Sequence, residues 1–136
     1  MSGSERVFEI ERAGEVLVIE PLGDEATYRY FDIHNESNRV LRELDDAEVK
    51  GVVIDLSSVP SLGWVMTSAI VRLVRSVDYR GGMAVFCSGT EINRRQFTSM
   101  KLGHPWTDHS SRSEAVAALK QAGDRDSQAN QGTDEA

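Results

Sequence analysis

The sequence predicts an α/β fold: one domain with a mostly parallel sheet of about four to five strands, an N-terminal β-hairpin and about four helices. The first observation behind this is the stretch 51–87. Val52-Val53-Ile54, closed by Asp55, is a short apolar run, and Met83 to Cys87 is a second. Between them Met66, Ala69, Ile70, Leu73, Val74 and Val77 recur at spacings of three and four until Gly81-Gly82 breaks the pattern. Those spacings put six side chains on one helical stripe. Strand, helix and strand in that order read as a right-handed βαβ crossover. The second observation is that neither strand alternates with polar residues, so both faces are buried and helices must cover the sheet. The third is a pair of strand-like runs, Val7–Arg12 and Val16–Glu20, separated by the turn signal Ala13-Gly14.

The remaining elements follow in order. Residues 1–5 are small and polar and are expected to be loose. Pro21 ends the second strand because it has no N–H for the ladder. Gly23-Asp24-Glu25 is a loop expected to lie beside Ser57–Trp64. Tyr30, Ile33, Ser37, Val40, Leu41 and Leu44 share a stripe, which predicts a helix over about 32–44. Asp45-Asp46 reads as its solvated end. Ser88-Gly89-Thr90-Glu91 fits a capping box with Ser88 as N-cap. It opens a helix to about Met100, with Ile92, Phe97 and Met100 as core contacts. Leu102 to Pro105 reads as a break, and Trp106-Thr107-Asp108 as a short last strand. Ser111-Arg112-Ser113-Glu114 repeats the capping signature, and Ala115, Val116 and Leu119 form the apolar side of the last helix. The folded domain is placed at 6–121. Residues 122–136 lack an apolar anchor and are expected to form a disordered polar tail.

Composition narrows function. With 136 residues the chain suits one domain with a real core. Its formal net charge of −7 opposes nucleic acid or an anionic membrane as partner. The single cysteine, Cys87, lies in a predicted buried strand and reads as a small apolar filler. The first residues lack the hydrophobic centre of a signal peptide, and no apolar run approaches the ~20 residues that span a bilayer. A cytoplasmic location is expected.

Chemistry is sparse. The histidines are His34, His104 and His109; the last two are five apart with Pro105 between them and share no helix face, and no Cys/His cluster is present, so no metal is expected. No G-x-S-x-G elbow, glycine-rich phosphate loop or other cofactor motif is present. No catalytic residue is assigned, and the expectation is a protein that is not an enzyme. Any functional surface belongs beyond the carboxyl ends of the strands, at Ser57–Trp64 and Ser88–Thr90. There Trp64 stands at the first turn of the central helix. At about 100° per residue, Trp64, Ser68, Val71 and Arg75 fall opposite the apolar stripe. A tryptophan on a wet face is either covered by a neighbouring loop or offered to a partner as an anchor.

The layout resembles the STAS domain, the fold of anti-sigma factor antagonists and of the cytoplasmic parts of sulfate transporters. The resemblance is carried by the hairpin, the loop DLSSVPSLGWVM, the strand GGMAVFC, the capped helix and the last helix at Ser111 to Val116. It spans roughly residues 6–121. It implies a regulatory protein-interaction module whose partner is an anti-sigma factor kinase or related sensor protein, with no nucleic acid and no membrane insertion. In such antagonists a serine at the start of the central helix, within D-S-x-G, is phosphorylated. That pattern falls on Gly63, Trp64, Val65 and Met66, so the acceptor position holds an indole. The nearby hydroxyls are Ser61, Thr67 and Ser68. The partner surface implied is Asp24, Ser61, Leu62, Gly63, Trp64, Ser68, Val71 and Arg75. A rival expectation is a small-ligand sensor, taking a nucleotide or lipid near Ser57–Gly63 and Ser88–Thr90.

Overall fold

A computed structural model describes residues 6–100 and 106–134. In chain order the elements are β1 (Phe8–Ala13), β2 (Val16–Pro21), α1 (Tyr30–Leu44), β3 (Gly51–Asp55), α2 (Trp64–Tyr79), β4 (Met83–Cys87), α3 (Glu91–Ser99), β5 (Asp108–His109) and α4 (Arg112–Asp134). The strands form one sheet in the order β1-β2-β3-β4-β5. The β1–β2 pair is antiparallel and every other pair is parallel. The expected neighbours β3 and β4 align Val53 with Val85 and Asp55 with Cys87.

The alternation within each strand divides the core in two. Leu17, Ile19, Val52, Ile54, Ala84 and Phe86 face α1, α2 and α3, where they meet Ile33, Val40, Ile70, Leu73 and Phe97. Val16, Val18, Val53, Val85 and Cys87 face the other way, against Ala115 and Leu119 of α4. Each apolar strand is therefore buried on both sides, as a parallel sheet under helices requires.

Several expectations shift. The hairpin turn is Gly14-Glu15, one residue later than expected. Gly14 has φ 65° and is the first of two turn residues, the place where a type II′ hairpin needs glycine. Tyr30, expected in the buried stripe of α1, is 71% exposed because it opens the helix at the edge of a groove beside α2. Glu36, which the stripe did not include, is buried: its carboxylate accepts from the Val7 N–H at 2.9 Å and pairs with Arg39 at 2.6 Å. The cap of α3 is Thr90, not Ser88: its hydroxyl accepts from the Asn93 N–H at 3.2 Å. Ser88, at φ 58°, instead donates its N–H to the His109 carbonyl and joins the end of β4 to β5.

With Thr90 as cap, the inward register of α3 falls on Asn93, and Ile92 is left 53% exposed. The last strand is Asp108–His109, and Trp106 before it stacks on Phe86 with ring centres 4.2 Å apart. Ser111 caps α4 as expected, accepting from the Glu114 N–H at 3.2 Å. α4 is described from Arg112 to Asp134. The loose residues 1–5 and the break at 102–105 lie outside the described residues.

Candidate interaction surface

The carboxyl ends of β2, β3 and β4 launch three loops toward one end of the domain: 22–29, 56–63 and 88–90. They are bonded to one another. The Glu25 N–H donates to the Leu62 carbonyl at 3.0 Å, which brings the 23–25 loop beside the 57–64 loop as the topology implied. Asn93 sits fully buried between two backbone groups: its Oδ1 accepts from the Leu62 N–H at 3.0 Å and its Nδ2 donates to the Val59 carbonyl at 2.8 Å. The Thr90 hydroxyl donates to the Pro60 carbonyl at 2.6 Å. Sequence periodicity could not find Asn93, since its polar side chain looks misplaced until the loop it satisfies is present.

These loops deliver the amino end of α2. Gly63 precedes it at φ 84°, ψ 166°, and has no side chain to cap it. A carboxylate from 40 residues away does so: Glu25 Oε2 accepts from the Val65 N–H at 3.0 Å. The two features are linked, because a Cβ on Gly63 would stand 2.1 Å from Glu25 Oε1. The left-handed φ and the lack of a side chain are both needed for the carboxylate to reach the helix. A negative group there also complements the positive end of the helix dipole. Replacing Glu25 with Ala is expected to cost about 1 kcal/mol of stability, the usual worth of an N-cap, measurable by urea unfolding. An unchanged midpoint would mean that water replaces the carboxylate without loss.

The residues expected to form the partner surface separate into two groups. Trp64 is 53% exposed, and Ser61, Ser68 and Arg75 are exposed with it. Leu62 is buried in the core, so it contributes no contact. Val71 is only 5% exposed, and Thr67 is fully buried. The reason is that α2 is flanked on two sides. Thr67 Oγ1 lies 3.2 Å from Gln96 Oε1 of α3, and Val71, one turn on, points the same way. A stripe read from spacing alone assumes one covered side, and so it is too narrow here. The exposed line of α2 runs instead through Trp64, Ser68, Arg72 and Arg75. Asp24 is half-buried and spent within its own loop, where Oδ1 accepts from the N–H groups of Ala26 and Thr27, both at 3.0 Å. Gly63 is half-buried beneath Glu25.

Beside Trp64 lies a groove of about 330 Å³ between the first turns of α1 and α2. Its rim carries Tyr30 and Trp64, and Phe31 next to it is 69% exposed. Tyr30 stacks on His34 with ring centres 6.4 Å apart. The α1 residues were absent from the expected surface because the helical stripe had assigned Tyr30 inward.

Behind the loops a second polar cluster ties α4 to the sheet. Arg112 donates from Nε to Asp55 Oδ2 at 2.8 Å and from Nη2 to Glu20 Oε1 at 2.6 Å. Burial alone would push the Asp55 carboxyl up, but hydrogen bonds from Ser57 and Arg112 outweigh it and hold the pKa below the usual value. The neighbouring Cys87 thiol is pushed up to about 12, first by burial and then by the Asp55 charge. Cys87 is thus an inert filler, not a nucleophile. No group of metal-ligating side chains occurs among the described residues. No helix among them is long and apolar enough to cross a membrane.

No protein-family model and no curated protein matches the chain. Solved structures do. A serine-to-glutamate variant of RsbS from Moorella thermoacetica aligns over 85% of this chain and 97% of its own, with TM-score 0.70 and 15% identity. SpoIIAA, the Bacillus cell fate determinant, aligns in its unphosphorylated form over 84% of this chain and 96% of its own, with TM-score 0.68 and 14% identity. A chain of the stressosome, described as a signal integration and transduction hub, aligns over 85% and 98%, with TM-score 0.67 and 18% identity. The fold of this chain is that of the STAS domain.

Proposed function

We propose that the chain is a regulatory STAS module that works by docking on an anti-sigma factor kinase or a related sensor protein, without enzymatic activity and without a phosphorylation switch at residue 64. The observation that carries this reading is Trp64 itself: it opens α2 and half of it is exposed, and the sequence resemblance lays the acceptor serine of antagonists on this position. An indole accepts no phosphate, and it offers a partner a large apolar face with one N–H donor.

The remaining hydroxyls narrow to two. Thr67 is buried, and its Oγ1 donates to the Gly63 carbonyl at 2.7 Å inside the helix. Only Ser61 and Ser68 are open to a kinase among the three considered. Incubation with an anti-sigma factor kinase and ATP is expected to yield a complex and no stoichiometric phosphate, read by gel filtration and intact mass. A single clean phosphorylated species at Ser61 or Ser68 would restore a switch and overturn the constitutive reading.

The rival, a nucleotide or lipid sensor at Ser57–Gly63 and Ser88–Thr90, has less support. Those loops spend polar groups on each other, through Thr90 and Asn93, rather than aiming them at a ligand.

A further inference from the structure

The groove beside Trp64 carries a chemical specification for what docks there. Its floor is apolar: Ile33 is buried, and Val65 and Ala69 are half-buried against the same core. Tyr30 and Trp64 stand on its rim as exposed aromatic walls. Arg72 lines the same groove, one and two turns beyond Ser68 and Trp64 on the exposed line of α2.

Among the described residues, Arg12, Arg39, Arg80, Arg94, Arg95 and Arg112 each pair with a carboxylate. Arg72 donates only to the neutral Asn38 Oδ1, at 3.1 Å, and no carboxylate pairs with it among the described residues. In a chain of net charge −7 acidic groups are plentiful, yet none of the described ones pairs with this arginine. A guanidinium left without a counter-ion at the edge of an apolar groove matches a carboxylate next to an apolar side chain.

Resting on the docking function above, we propose that the α1–α2 groove binds an acidic amphipathic helix of the partner protein. One apolar side chain of that helix seats between Tyr30 and Trp64, and a carboxylate about one turn along reaches Arg72. A helix is the fitting occupant because two helices side by side present a groove that takes the ridge of a third. The overall negative charge of the chain does not prevent this. At physiological salt, charges more than about 8 Å apart are largely screened, whereas a carboxylate on Arg72 is in direct contact.

The test is selection from a phage-displayed library of helical peptides with randomised faces, panned against the full chain. The expected winners carry a leucine or aromatic anchor and net negative charge, and their binding falls about tenfold on Arg72→Ser, the factor expected of one charge-assisted hydrogen bond. On Arg72→Glu the selected charge is expected to invert to lysine and arginine. Both variants alter an exposed side chain, and circular dichroism checks that each is folded. Basic or neutral winners on the native chain, winners indifferent to Arg72→Glu, or no enrichment would overturn the proposal. The kinase separates the two levels. Equal affinity of native chain and Arg72→Glu for the kinase keeps the docking function and removes this groove from it. Acidic winners without any kinase binding keep the groove and remove the kinase.

Discussion

Replacing Arg112 with Met is expected to lower the unfolding free energy by about 3 kcal/mol at pH 7, at the lower end of what breaking a buried ion pair costs. Arg112 holds two carboxylates at once, Asp55 with a side chain 6% exposed and Glu20 at 16%. Without the guanidinium both stay negative, largely out of water and facing each other. Their desolvation then loses its main compensation, and what remains is the hydrogen bond from the Ser57 N–H to Asp55 and that from the Ser58 hydroxyl to Glu20. Arg112 is itself 33% exposed, so water reaches part of the cluster and limits the loss.

The pH dependence distinguishes this from a simple packing defect. In the native chain the Asp55 pKa is depressed below its ordinary 3.8. A depressed carboxyl contributes stability above its unfolded pKa, and that contribution fades as the pH falls through the folded value. In Arg112→Met the lowering by Arg112 is lost while burial and the Ser57 hydrogen bonds remain, so the folded pKa lies higher than in the native chain. The variant therefore has less stability to lose as Asp55 takes up a proton. The gap between native and variant is therefore expected to be full at pH 7 and to shrink below about pH 4. Urea unfolding at both pH values reads it, and a gap of equal size at each would show that charge is not the cause.

This cluster also marks the limit of what periodicity can see. The two apolar strands, the glycine break and the central helix were legible because burial of a parallel sheet writes itself into every residue of 52–54 and 84–87. Ser111 was legible because a cap is a local pattern. Arg112 was visible only as a letter inside that cap, since its partners Asp55 and Glu20 are 57 and 92 residues away. Glu25 was hidden for the same reason: capping from another loop leaves no local signature. The missed register of α3 has a related cause. Ile92 looks like core and Asn93 does not, until the carbonyl of Val59 and the N–H of Leu62 need a partner at that point. Polar groups that satisfy distant backbone are invisible to spacing rules, and here they shape the loops that present the candidate surface.

Trp64→Ala is expected to weaken the complex with the partner by about 2 kcal/mol or more, roughly a thirtyfold loss of affinity, as removal of an interface anchor does. The same change is expected to alter the domain's own stability by less than about 1 kcal/mol. The contrast follows from where the indole stands. A buried tryptophan costs ~3–5 kcal/mol on truncation because a cavity remains. Half of Trp64 already faces water, and the helix start beneath it is held by Glu25 on the Val65 N–H, which the substitution leaves in place. In the complex the exposed half is covered, and truncation removes apolar area and one N–H donor together. A phosphate at this position would ask a partner for arginines, whereas an indole asks for an apolar pocket and is expected to bind in one persistent state. Calorimetric titration with an anti-sigma factor kinase, paired with urea unfolding of the same variant, decides between the roles. Severe unfolding with little specific loss of binding would make Trp64 a core residue and move the docking surface away from the start of α2.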